Sequence, residues 1–128
     1  MSYIPDQGDI VWLDFDPQAG HEQAGRRPAI VLSPAAYNNR TSLMVCCPMT
    51  TKIKGNPWEV RIAAHREGVV LSDQIKSLDW TARRIEKTGE ATAAELGQVR
   101  KFARALIGRP EPSSDLPERL ELHLGVDF

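Results

Sequence analysis

The sequence predicts a small α+β protein that is mostly β, in which short strands form a barrel and one C-terminal α-helix covers it. The first observation is a series of short segments between Gly8 and Ala91, rich in β-branched and aromatic residues and separated by turn-forming residues. The second is a single stretch, starting at Thr92, in which apolar residues recur at helical spacing. Many short strands before one helix are typical of a small barrel with a helix packed on it.

Six segments are predicted to be strands, and one of them is either two short strands or a strand and a turn. The second segment has an almost continuous apolar centre, which indicates burial on both faces. Pro48 interrupts the third segment and predicts an edge strand or a bulge, because proline cannot donate a ladder hydrogen bond. Asn38 and Asn39 indicate a turn within 35–42, and another turn is predicted near His65 to Gly68. The segments are 8–15, 27–34, 43–50, 58–62, 69–80 (the divided one) and 83–91.

The helix is predicted to begin after Thr92, because Glu95 stands three residues later and the two residues form a capping-box pattern. It ends at Gly108 and Pro110, which favour termination. Its apolar face consists of Leu96, Val99, Phe102, Ala103 and Leu106.

The chain of 128 residues fits one domain, predicted to span 1–108, with an acidic extension at 109–128. Within the extension, 120–128 alternates apolar and polar residues like a strand, but the leucines at 116, 120 and 124 suit a short helix equally well. Three alternatives are open for the extension: it packs on the barrel, it is disordered, or it blocks the protein's own binding groove.

Composition indicates a cytoplasmic protein, since there is no leader peptide and no apolar run long enough for a membrane span. Cys46 and Cys47 are adjacent, so we expect two reduced residues on a strand rather than a disulfide. His21, His65 and His123 stand far apart and form no metal-ligand pattern.

The net charge of −1 conceals a charge asymmetry. Residues 21–54 carry +4, whereas residues 1–20 carry −4 and residues 109–128 carry −3. A positive middle segment is compatible with a binding face for a polyanion, and equally with scattered solvated charges.

The connection at 16–28 contains "GHEQAGRRP" and is unusually long for a link between two strands. Glu22, Arg26 and Arg27 supply what metal-free cleavage of an RNA phosphodiester requires. A carboxylate takes the proton of the ribose 2′-OH, and guanidinium groups stabilise the charge that develops on the phosphate. Guanidinium hardly deprotonates, so it is poorly suited to act as the acid. An ordinary solvated loop with a Glu–Arg pair would show the same residues.

The successive segments "GDIVWLDFDP", "GHEQAGRRPAIVLSP", "PMTTKIKG", "NPWEV" and "LSDQIKSLDW" resemble the MazF/PemK family of toxins from type II toxin–antitoxin systems. The resemblance covers residues 3–108. It implies an SH3-like β-barrel that forms a homodimer. It also implies a sequence-specific, ribosome-independent endoribonuclease that needs no metal or other cofactor and cleaves single-stranded mRNA, leaving 2′,3′-cyclic phosphate and 5′-OH ends. A MazE-like antitoxin would block the RNA groove.

The resemblance also assigns roles to residues. It implies that Glu22 is the general base and that Thr50, which opens "TTKIK", holds the scissile phosphate. Arg27 is implied to stabilise the phosphate and is also a candidate donor to the leaving group. For Thr50 the alternative is a hydroxyl bonded to its own backbone. The RNA-binding candidates are His21, Gln23, Arg26, Lys54 and Gln74.

His21 stands where relatives often have serine. Three roles are open for it: it contacts phosphate, acts as the acid, or shifts the pH optimum.

The alternative function is a non-enzymatic toxin of the same fold that poisons a topoisomerase. Such a protein has no need of Glu22, Arg27 and Thr50 as a set of phosphate-handling residues.

Trp12 and Trp80 are predicted in the core, whereas Trp58 either stacks on a base or packs in the core or a dimer interface.

Overall fold

The computed structural model describes residues 2–15 and 25–108, which form one seven-stranded antiparallel sheet and two α-helices. The predicted fold class, mostly β with a C-terminal helix, is confirmed. A short 3-10 helix, Trp80–Ala82, links the sixth and seventh strands. The elements are β1 Asp9–Phe15, β2 Gly25–Val31, α1 Ala35–Thr41, β3 Leu43–Thr50, β4 Glu59–Ile62, β5 His65–Leu71, β6 Lys76–Asp79, β7 Glu86–Glu90 and α2 Ala93–Ile107.

The strands follow the order β4-β5-β3-β2-β1-β7, with β6 also paired to β3. Across residues 2–15 and 25–108, β4 and β7 form the two ends of this path and do not pair with each other, so the sheet is open rather than a fully closed barrel. The register sets Ala29 opposite Pro48 between β2 and β3, and Trp12 opposite Pro28 between β1 and β2.

Apolar side chains are buried on both faces of the central strands. Neighbouring residues point to opposite faces of a strand, and the pairs Ile30/Val31 and Cys46/Cys47 accordingly divide between two core clusters. Phe102 of α2 packs against the first cluster, and Trp80 belongs to the second. The prediction that the second strand is buried on both faces is confirmed.

The helix prediction is confirmed together with its capping box. The Thr92 backbone N–H donates to Glu95 Oε1 at 2.8 Å, and the Glu95 N–H donates to Thr92 Oγ1 at 3.1 Å. Glu95 Oε2 also accepts from the Ala63 N–H at 2.9 Å, which fixes the start of α2 against the end of β4. Val99 is buried, but Leu106, which was predicted on the apolar face, is exposed.

The turn predicted within 35–42 is wrong, because this segment forms helix α1. Asn38 does not act as a turn residue, since its side chain is completely buried. Its Nδ2 donates to the carbonyl oxygens of Pro5 at 2.8 Å and Ser33 at 3.0 Å, and its Oδ1 accepts from Ser33 Oγ at 2.6 Å. These tertiary partners decide the conformation.

The edge position predicted from Pro48 is also wrong, because β3 is an interior strand. On one side β3 pairs with β2. On the other it pairs with β6 from Leu43 to Cys46 and with β5 at Met49 and Thr50. Pro48 lies between these two pairings, where the missing N–H removes no bond to a neighbouring strand.

The turn predicted near His65 to Gly68 lies earlier, at Ala63 and Ala64, and β5 starts at His65. Arg61 pairs with Val69 and Ile62 pairs with His65, so residues 66–68 form a bulge without partners on β4. Gly68 is required there by contact, because a Cβ on it would lie 2.6 Å from the Thr50 carbonyl oxygen. A bulge bends its strand and redirects side chains.

Neither helix in the described part of the chain is long and apolar enough to cross a membrane.

We expect Gly68→Ala to destabilise the fold by about 1–3 kcal/mol, because the new methyl group forces β5 away from β3 at Thr50. Gly97→Ala is the matched control: Gly97 lies exposed within α2, a Cβ there meets nothing within 4 Å, and the change should stabilise by about 0.5–1 kcal/mol. Urea unfolding of the three proteins measures both effects. Equal stability of Gly68→Ala and wild type would contradict the close contact.

Candidate active site

A cavity of about 260 Å³ opens where β1, β2, β3 and β5 meet. Its wall combines cationic, hydroxyl and aromatic side chains, which suits an anionic ligand that also has an aromatic or sugar part. The lining residues are Trp12, Arg26, Arg27, Pro28, Met49, Thr50, Thr51, His65 and Glu67.

Strand register brings together two of the three predicted catalytic residues. β2 and β3 are antiparallel with Ala29 opposite Pro48, and Arg27 and Thr50 each stand two residues beyond this pair, at the same end of the two strands. Both residues line the cavity. The third, Glu22, lies outside the described residues, as do His21 and Gln23.

Thr50 is buried at the end of β3, and its Oγ1 accepts a hydrogen bond from the Lys52 backbone N–H at 3.1 Å. The hydrogen bond between the Thr50 hydroxyl and its neighbouring backbone, the alternative given for this residue, therefore exists. It also fixes the side-chain rotamer of Thr50. A hydroxyl donates one hydrogen and accepts through two lone pairs, so the Thr50 O–H keeps its donor capacity while it accepts from Lys52.

Arg26, one of the lining residues, is held by a network of hydrogen bonds and ion pairs. Its Nη1 donates to the Arg84 carbonyl oxygen at 2.9 Å and lies 3.4 Å from Asp14 Oδ1, and its Nη2 lies 3.5 Å from Glu86 Oε1. Arg84 binds Asp14 in a bidentate manner, with N–O distances of 2.8 and 3.0 Å. Hydrogen bonds from Arg84 and then Arg26 lower the pKa of Asp14 below its ordinary value.

His65 and Glu67 are cavity residues that no sequence pattern singled out for chemistry. The His65 ring packs edge-to-face on Trp12, with centroids 6.1 Å apart and an interplanar angle of 76°. Its Nε2 lies 3.9 Å from Glu67 Oε2. Trp12 is half-buried and lines the cavity, so its predicted place in the core is corrected. A turn is predicted at these residues, whereas β5 in fact starts at His65 and bulges at 66–68, so the sequence gives no indication that this pair lines a cavity.

The remaining RNA-binding candidates lie away from the cavity lining. Lys54 is exposed on a loop whose backbone N–H groups, at Lys54 and Gly55, donate to the Glu59 carboxylate at 3.2 and 2.9 Å. Gln74 is half-buried between β5 and β6, and its N–H donates to the Leu71 carbonyl oxygen at 3.0 Å. Trp58 is half-buried in the turn just before β4.

The two cysteines are unsuited to chemistry at this site. Cys46 and Cys47 are completely buried on β3, and burial raises the pKa of each thiol to about 12. Trp80 is buried as predicted, and its Nε1 donates to the Asn38 carbonyl oxygen at 3.0 Å. Within residues 2–15 and 25–108 no three His, Cys, Asp or Glu side chains are grouped to hold a metal ion.

Residues 6–107 match the model of a family described as the PemK-like, MazF-like toxin of type II toxin–antitoxin systems. The chain belongs to this family. It is 50% identical over 107 residues to the endoribonuclease toxin MazF of Escherichia coli K12, covering 83% of this chain and 96% of that protein.

Solved structures of family members extend the comparison to the fold. The crystal structure of MazF from Deinococcus radiodurans is 56% identical, with a TM-score of 0.79 over 84% of this chain and 99% of that one. A MazE–MazF crystal structure from the same organism contains a chain that is 55% identical, with a TM-score of 0.76 over 85% of this chain and 100% of that one. The open sheet with its C-terminal helix is therefore the fold of this toxin family.

We expect Asp14→Asn to lower stability at neutral pH, because it removes the carboxylate shared by Arg84 and Arg26. The lowered pKa of Asp14 means that its contribution is complete above the ordinary aspartate value of about 3.9 and is lost as the pH falls below it. The difference between the urea midpoints should therefore be full at about pH 7 and shrink progressively as the pH falls below about 3.9.

The control for this measurement is Asp73→Asn, which removes the same charge from the exposed connection between β5 and β6. A difference between Asp14→Asn and wild type that persists undiminished in acid would show that the Asp14 charge is not the cause.

Proposed function

We propose that this chain is a sequence-specific endoribonuclease toxin that cleaves single-stranded mRNA without a metal or the ribosome. The observation that carries the proposal is that Arg27 and Thr50 line one cavity, as a site for a phosphodiester requires. The E. coli relative is named an endoribonuclease toxin, which supports the same activity.

In the proposed reaction the ribose 2′-oxygen attacks the adjacent phosphorus and the bond to the 5′-oxygen breaks. Glu22 takes the proton of the 2′-OH as general base. Arg27 provides charge-assisted hydrogen bonds to the phosphate oxygens, and Thr50 donates its O–H to the same group. The products are a 2′,3′-cyclic phosphate and a 5′-OH. Arg26, with the exposed Lys54, adds positive charge along the RNA path, and we assign RNA contacts to His21, Gln23 and Gln74 as well.

We further propose that the protein acts in the cytoplasm as a homodimer and that a MazE-like antitoxin neutralises it by covering the RNA groove. The crystal structure that pairs MazE with a 55% identical MazF supports such a partner. The non-enzymatic topoisomerase poison is the less favoured function, because protein binding gives the clustered arginines and the threonine no role.

The test is cleavage of a long single-stranded RNA in excess EDTA, followed by analysis of the ends. We expect wild type to leave cyclic phosphate ends, and Arg27→Ala, Thr50→Val and Glu22→Gln each to lose about 10²–10³-fold in rate, the usual cost of removing one group that stabilises the transition state. Arg104→Ala, an exposed arginine near the end of α2, is the control and should cleave normally. Intact RNA in every sample would favour the protein-binding toxin.

We propose that the toxin domain comprises residues 1–108 and that the acidic extension, 109–128, is an appended segment. Truncation after Gly108 should then leave the cleavage rate within about twofold of wild type. Cleavage of the same RNA by the two proteins measures this directly. A large rise in rate would instead identify the extension as a self-inhibitory segment.

A further inference from the structure

We propose that His65 is the proton donor to the 5′-oxygen that leaves during cleavage, and that Glu67 positions its ring. This inference rests on the proposed ribonuclease function and adds to it the group that completes the reaction.

The reaction needs such a donor, because an alkoxide leaves poorly without a proton. Among the cavity residues, Arg27 and Arg26 are guanidinium groups that keep their protons. The Thr50 hydroxyl is a hydrogen-bond donor but not an acid near neutral pH. Imidazole changes its protonation state in the physiological range, and His65 is the histidine in the described cavity wall.

The backbone places His65 in the wall. Residues 66–68 have no partners on β4, and this bulge lets β5 present both His65 and Glu67 to the cavity. Gly68 allows the bulge to lie against β3, since an ideal Cβ on Gly68 would be 2.6 Å from the Thr50 carbonyl oxygen and 3.7 Å from His65 Cδ2. The imidazole is therefore tied to the same strand end that carries the Thr50 hydroxyl. Bulges are over-represented next to active sites, where they redirect a side chain.

Side-chain contacts then restrict the ring. Trp12 packs edge-to-face against it, and the His65 side chain is only 16% exposed. His65 Nε2 lies 3.9 Å from Glu67 Oε2, so the carboxylate stands on the side of this ring nitrogen. An imidazolium has two N–H groups, so the other remains to face the substrate oxygen.

The proposed step balances. The 2′-oxygen forms a bond to phosphorus and passes its proton to the general base. The bond between phosphorus and the 5′-oxygen breaks, and the electron pair left on that oxygen takes a proton from the His65 imidazolium. The step ends with neutral imidazole on His65 and a protonated general base. Before the next turnover the base releases its proton to solvent water and His65 takes one up, so the cycle has no net change in protons.

A substrate whose leaving group needs no proton provides the test. RNA with a 5′-bridging sulfur at the scissile phosphate expels a thiolate, a far better leaving group than an alkoxide. We expect His65→Gln and His65→Ala to cleave ordinary RNA at least about 100-fold more slowly than wild type, and to cleave the sulfur-bridged RNA within about tenfold of wild type. His65→Gln retains most of the side-chain volume beside Trp12 and guards against a folding defect in His65→Ala.

Thr50→Val is the control, because a phosphate contact is needed for both leaving groups and both rates should fall together. Glu67→Gln should slow the cleavage of ordinary RNA, by less than the His65 variants do, and should leave cleavage of the sulfur-bridged RNA nearly unchanged. The loss should appear in kcat rather than in KM.

Equal loss of His65→Gln and His65→Ala on both substrates, or no loss on ordinary RNA, would overturn the inference while leaving the ribonuclease function intact. Failure of wild type to cleave either RNA would instead overturn the proposed function.

Discussion

The structure depends on a change of partner along one side of β3, which pairs first with β6 and then with β5. β2 occupies one side of β3, while the other side pairs first with β6 and then, from Met49, with β5. Pro48 marks the change of partner, so the residue that cannot donate a ladder bond stands where none is needed. Because β5 takes over only at the end of β3, its bulge lies beside Thr50 and across from the start of β2. The cavity is the direct consequence of this change.

A buried amide fixes the other end of the central strands. Asn38 joins the N-terminal segment at Pro5, the residue Ser33 just after β2, and Trp80. Ser33 Oγ also accepts from the Val45 N–H at 2.8 Å, which locks the β2–β3 register. The register that brings Arg27 and Thr50 to one cavity is therefore maintained from the opposite end of the strands. Satisfied buried polar groups are well suited to this, since any slip would leave them unpaired at a cost of about 1–3 kcal/mol each.

Patterns of neighbouring residues predicted the elements whose conformation depends mainly on those neighbours. Alternation located most of the strands, and Thr92 with Glu95 gave the start of α2, because each depends on neighbours in sequence. The segments that were predicted wrongly depend on distant atoms. Asn38 is helical because of its bonds to Pro5 and Ser33, and the bulge needs glycine at position 68 because of the nearby Thr50 carbonyl oxygen. Family resemblance, rather than spacing, selected Arg27 and Thr50 within the site. Neither the local patterns nor the family resemblance identified His65, because only the bulge of β5 places it in the same cavity as Arg27 and Thr50.

The cavity's charged groups are arranged before any substrate binds. Arg26 is held by Asp14, Glu86 and the Arg84 carbonyl oxygen, so little side-chain entropy remains to be lost when an anion arrives. Trp12 restricts the His65 ring in a comparable way. Prearranged dipoles and charges stabilise a transition state without reorganising during the reaction, and this is where electrostatic catalysis gains most. The salt links of Arg26 thus hold one of the cavity's cations in a fixed position.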